Sequence, residues 1–273
     1  MNTNIIIDYL LIFGGIVVWG LLLPKERKVP HTVTEGFAVF GGAFLLASCF
    51  INLVPHLFAH GFATPVHHVK IGVAVLVGFL IQLLLEFATH GVEHGHDHCK
   101  HNDENEDEDK NENTHIHKHL HEHDEKHTHP IVGLLIGLSI HAFMEGMPLV
   151  DTDGIVHQSL LYGIILHNIP IAIVLVGLFM NNGYSRLKSV LLLSIFAVMT
   201  PLGSLCNIYA VSSNETVQAL IMGVVVGILL HVSVSILFDE EHKRLTWWKL
   251  ALIVIAFTAA YFTPGCPEIY GLN

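Results

Sequence analysis

Hydrophobic positions fill long stretches of this chain without alternating and without a regular polar stripe. A helix needs about 20 such residues to cross a hydrocarbon layer of about 30 Å. Runs of that kind can be marked off eight times: near Asn4 to Leu23, Gly36 to Ala59, His68 to Thr89, Pro130 to Val150, Gln158 to Met180, Leu187 to Val211, Val217 to Phe238 and Trp247 to Pro264. Barrel strands would be short and alternating, whereas these runs are continuously apolar. The pattern predicts an all-α integral membrane protein of eight transmembrane helices, seated in a lipid bilayer. Composition agrees, because 52% of the 273 residues are hydrophobic and only 14% are charged, far from a soluble globular balance. With 13 basic against 24 acidic residues, no nucleic-acid partner is expected.

The basic residues orient the bundle. None precedes the first span and no small-residue cleavage site follows it, while Lys25, Arg27 and Lys28 come directly after, so that span reads as uncleaved with an exported N-terminus. Eight spans leave four loops on one side and three loops plus both termini on the other. The first set, with its helix ends, holds Lys25, Arg27, Lys28, Lys100, Lys110, Lys118, Lys126, Arg186, Lys188, Lys243, Arg244 and Lys249; the second holds only Lys70. Positive charge is retained in the cytoplasm, so both termini are expected outside a plasma membrane and the long third loop inside.

That loop divides the chain into helices one to three (residues 1–90), the loop (91–129) and helices four to eight (130–273), all one membrane domain. From His90 to His129 it carries 12 of the 22 histidines and 12 of the 24 acidic residues, which supply most of the chain's net charge of −11. It reads as disordered and low in complexity. Its closely spaced His94, His96, His98, His115, His117, His119, His121 and His123 suit capture of borderline-soft divalent ions without fixed geometry; a solvated linker is the plainer alternative. The four cysteines are scattered and form no CxxC pair, so neither a disulfide framework nor a zinc finger is indicated.

Sharper chemistry lies inside the spans, where an ionisable residue is costly and marks function by default. In SIHAFMEGMPL of the fourth helix, His141 and Glu145 are four residues apart and share one face. In ILHNIPIAIVLVG of the fifth, His167 is followed by Asn168. Counted outward from the middle of the intervening loop near Asp153, both histidines lie roughly 20 Å deep at 1.5 Å per residue, near the bilayer midplane. Two imidazoles and a carboxylate can therefore converge on one metal ion. A single membrane histidine is as readily a packing partner; depth matching and Glu145 favour the metal. Pro148 and Pro170 remove the donors for the carbonyls of Met144 and Leu166, predicting kinks beside the polar residues.

Other polar residues extend a candidate route. His56 and His60 end the second helix on the outer side. Gln82, Glu86 and His90 share one face of the third toward the cytoplasm, and His231 lies in the seventh helix with Glu240 and His242 beyond its end. Each alone reads as an ordinary interfacial residue. Gly133 with Gly137, and Gly223 with Gly227, permit close helix contacts either within the bundle or between copies.

In this arrangement the chain resembles the Zrt-, Irt-like (ZIP) divalent metal transporters. The motifs that carry the resemblance are GGAFLLASCFINLVPH, GFLIQLLLE, HAFMEG, HNIP, TPLG and GILLHVSVSILFDEE in helices two to seven, together with the His-rich third loop. The resemblance implies movement of Zn²⁺, or of Fe²⁺, Mn²⁺ or Cd²⁺, into the cytoplasm through a site between the fourth and fifth helices, no resident cofactor, and a homodimer as candidate assembly. Several positions depart from the family pattern. Ala142 stands where a ligand often follows the fourth-helix histidine, Ile171 and Ala172 replace Glu and Gly of the fifth-helix motif, and Thr200 precedes PLG where glutamate is common. His141, Glu145, His167 and Asn168 remain as the central set, which predicts a weak, mononuclear site. The missing ligands leave open a transport-deficient sensor or partner protein. A membrane metalloenzyme is less favoured, since no HExxH motif is present.

Overall fold

A computed structural model describes residues 3–22, 31–59, 65–93, 129–150, 154–211, 215–238 and 246–263. Apolar sequence dictates helix here because the backbone must satisfy its own hydrogen bonds where water is absent. Helix α1 spans Thr3–Leu22. Helix α2 runs His31–Ser48, passes through a π-helical turn at Cys49–Leu53 and continues over Val54–Ala59. Then follow α3 (Pro65–Glu93), α4 (His129–Gly146), α5 (Gln158–Asn181), α6 (Arg186–Cys206, extended by a π turn over Asn207–Val211), α7 (Glu215–Phe238) and α8 (Trp247–Phe262). Seven of these are long and apolar enough to cross a membrane, and α8, at 16 residues, is the shorter eighth. All eight expected spans are helical, with no strand among the described residues beyond an isolated Val150–Val156 bridge.

Pro148 behaves differently from expectation. Pro148 ends α4 instead of kinking it: the α-helix stops at Gly146, a 3-10 turn covers Met147–Leu149, and Val150 is extended. The Leu149 carbonyl accepts the backbone N–H of His157 at 3.0 Å, closing the connection to α5. Pro170 sits inside an uninterrupted α5. That helix stops at the α5–α6 turn, where Gly183 adopts φ 80°, the left-handed conformation that glycine reaches without a Cβ clash.

Sequence neighbours are not the closest packing partners. Helix α4 lies chiefly against α6, α5 against α2 and α1, and α3 against α7, while α8 covers α2. Glycines set the tightest of these contacts. A Cβ on Gly227 of α7 would run into the Val75 carbonyl and lie 2.7 Å from the Phe79 nitrogen, and one on Gly223 would lie 3.0 Å from the Ala74 methyl. The Gly223 and Gly227 pair thus serves the α3–α7 contact within the bundle. Helix α8 is tied to α2 by alanine contacts among Ala43, Ala47, Ala256 and Ala260 and by an ion pair between Lys249 and Glu35. Large apolar side chains such as Leu76, Phe87 and Leu187 stay exposed on the outer faces, as a lipid-facing surface requires. Replacing Gly227 by alanine should therefore destabilise the protein by about 1–3 kcal/mol through overpacking. Gly14→Ala, where a Cβ meets nothing within 4 Å, should leave the melting temperature in detergent unchanged.

Candidate metal centre

Within one turn of α4, His141 and Glu145 point the same way, and α5 brings His167 to them. Glu145 Oε2 lies 3.8 Å from His141 Nε2, and Glu145 Oε1 lies 3.4 Å from His167 Nε2. The two imidazole rings stand 6.1 Å apart and nearly perpendicular. All three residues offer one ligand atom within a 4.8 Å cluster, and all are buried.

The spacing is informative. Hydrogen bonds between nitrogen and oxygen close to about 2.7–3.2 Å, shorter than either separation here. Ligand atoms held about 2.1 Å from a tetrahedral Zn²⁺ stand about 3.4 Å apart. Both Glu145 oxygens and His167 Nε2 have no hydrogen-bond partner among the described residues. Two imidazole nitrogens and one carboxylate oxygen are the donor types zinc takes, and three protein ligands leave a fourth position open. The residues fit a divalent ion.

Each ring is held from its other nitrogen. His167 Nδ1–H donates to the Gly163 carbonyl one turn earlier, at 3.2 Å. Its backbone is fixed by α2, where a Cβ on Gly41 would fall 2.9 Å from the His167 Cα. His141 Nδ1 lies 2.9 Å from Gln82 Oε1, which α3 supplies. Glycine contacts also clamp α4 to α6 beside Glu145: a Cβ on Gly146 would strike the Thr200 carbonyl, and one on Gly203 the Phe143 carbonyl.

Of the other sequence-predicted residues, Asn168 is fully buried, with neither amide atom hydrogen-bonded among the described residues. Glu86 forms a separate cluster, 3.4 Å from His231 Nδ1, with Ser235 Oγ donating to its other oxygen at 3.4 Å. At the other end of the bundle the His56 ring packs edge-on against His157, with centroids 4.8 Å apart, and nearby Asn52 donates to Ser159 at 2.9 Å. His60, Glu240, His242 and the loop histidines lie outside the described residues, as does the side chain of His90. Sequence reasoning missed His157, which carries no spacing signal toward His56. It also placed Glu35 just before the second span, whereas α2 begins at His31 and buries Glu35 against Lys249.

The sequence matches the family model described as ZIP Zinc transporter over residues 5–260, and the chain belongs to that family. It is a multi-pass membrane protein of a family that transports metal ions. Comparison with curated proteins gave no match.

A buried polar atom left without a partner costs about 1–3 kcal/mol, and a charged one more. Glu145→Met, apolar and of similar length, should therefore raise the melting temperature of the metal-free protein. It should also lose the further rise that Zn²⁺ gives the wild type, both read by thermal unfolding in detergent.

Proposed function

We propose that this protein carries divalent metal ions, zinc foremost and Fe²⁺, Mn²⁺ or Cd²⁺ by the same donor chemistry, across a plasma membrane into the cytoplasm. The observation that supports this most is the buried Glu145 carboxylate, facing two imidazole Nε2 atoms at ion-sized rather than hydrogen-bond separations. Family membership supports the transport. His141, Glu145 and His167 hold one ion, with Asn168, a water or a backbone carbonyl completing its shell.

A single ion follows from the charge available. One carboxylate leaves a divalent cation with a net positive charge, and the positions that would add acids carry Ile171 and Thr200. The ion enters past His56 and His157, then leaves past Gln82, Glu86 and His231 toward the His-rich loop. The 12-to-1 distribution of basic residues supports both termini lying outside and that loop in the cytoplasm, where its histidines collect the released ion. A copy-to-copy homodimer is the assembly the family resemblance suggests.

Proteoliposomes loaded with the full chain should take up radioactive zinc, and His141→Ala should abolish uptake. A protein that binds zinc without moving it would instead be the sensor or partner that the absent ligands suggest. Uptake should decline as external pH falls, because only neutral imidazole ligates.

Anomalous scattering from zinc- or cadmium-soaked crystals should give one peak between α4 and α5, touching His141. Two peaks there would overturn the mononuclear site.

A further inference from the structure

Helix α3 sends two polar side chains toward the bundle one turn apart, and they go to different partners. Glu86 faces His231 and Ser235, while Gln82 places Oε1 2.9 Å from His141 Nδ1. An amide oxygen only accepts, so this contact is satisfied when His141 carries its proton on Nδ1. That leaves Nε2 bare, and Nε2 is the atom facing Glu145. His167 is presented the same way, its Nδ1–H on the Gly163 carbonyl and its Nε2 toward Glu145. The two devices differ. One is a main-chain carbonyl of the ligand's own helix, and the other is a neutral side chain brought from another helix.

From this we infer that Gln82 is a positioning residue: it fixes His141 in the Nδ1–H form with Nε2 toward the ion, and being an amide it keeps His141 a moderate ligand. Outer-shell partners of ligating histidines set the tautomer and ring orientation, and a carboxylate in that place raises ligand basicity. A carboxylate is present on the same helix at Glu86, yet the side chain that meets His141 is the amide. The arrangement favours an ion that binds and then leaves over one held as a permanent structural part. An amide turned the other way would donate to Nδ1 and put the proton on Nε2, facing Glu145, where it would block ligation; the test separates the two.

The inference rests on the reading of this cluster as the carried ion's site, and the experiment keeps the two apart. Zinc uptake by full-length chains in liposomes is measured against zinc concentration. Gln82→Leu should raise KM by about 10- to 100-fold, the usual cost of losing an outer-shell partner. Gln82→Glu, nearly the same shape, should lower both KM and Vmax, because tighter holding slows release. An unchanged KM in Gln82→Leu, or a KM raised equally in both variants, overturns the inference.

A transport-independent readout is the ¹⁵N-histidine NMR spectrum of the metal-free full chain, with the His141 ring assigned by difference from His141→Asn. The wild type should show Nδ1 protonated, and Gln82→Leu a mixture of tautomers. A proton on Nε2 in the wild type overturns the inference even if the chain moves no zinc. Should Gln82→Leu not fold, Gln82→Glu and the wild-type spectrum decide the matter.

Discussion

A carboxylate shut inside an apolar bundle with no proton donor at hydrogen-bonding distance among the described residues is the constraint around which the structure is organised. Glu145 is fully buried, and two imidazole nitrogens face it from too far away to neutralise it by hydrogen bonding. Such a group is tolerable only if its surroundings are held firmly enough for a cation to be received without rearrangement. The helices do this with backbone-to-backbone contacts, since apolar burial gives little drive to helix association in lipid and close van der Waals packing must supply it. Gly146 and Gly203 lock α4 against α6 on the glutamate side, and Gly41 seats α2 against the backbone of His167. Each contact lies within two residues of a ligand or on the ligand itself.

Comparison with two other carboxylates sharpens the point. Glu35 meets Lys249, and Glu86 meets His231 and Ser235. Both have protein partners, so the nearly buried Glu35 and the partly exposed Glu86 are explained by local pairing. Glu145 instead faces two imidazole Nε2 atoms, which offer it only lone pairs where their protons sit on Nδ1. Three lone-pair donors aimed at one another repel unless something positive stands between them, and this separates the central cluster from the polar contacts on either side of it.

The helices and the central residues were legible in the sequence because their signals are local. Continuous apolar runs give spans, the four-residue interval gives the shared face of His141 and Glu145, and counting from the α4–α5 connection matches the depth of His167. What was not legible depends on which helices touch. Nothing in the α4 sequence says that Gly146 meets Thr200 of α6, so pairing of α4 with its sequence neighbour α5 looked more natural than its packing on α6. Gln82 was visible as a polar residue on a helical face, but its role required knowing that α3 passes beside α4. Pro148 was legible as a disruption without its outcome, since ending a helix and bending it begin with the same lost donor. Glu35 falls outside the expected span because a charge at a helix start reads as interfacial, and only the fold brings the buried Lys249 to it.

The balance of charge bears on throughput as well as on affinity. Two unit charges 4 Å apart attract by about 4 kcal/mol at the effective dielectric typical of protein sites. A second carboxylate at the position of Ile171 or Thr200 would deepen the well for a cation by an amount of that order per unit charge, before its own desolvation is counted. Since about 1.4 kcal/mol corresponds to a factor of ten, each unit of the ion's charge would lengthen its stay by up to about a thousandfold if capture were unchanged. A centre with one carboxylate, two neutral imidazoles and an amide behind one of them lies at the shallow end of that range. Shallowness weakens capture at low metal concentration; under the proposed function, a histidine-dense, acidic loop on the receiving side would keep the free concentration there low and limit return. Under the proposed function the missing ligands and the crowded loop would be two parts of one arrangement, with the membrane site for passage and the loop for retention.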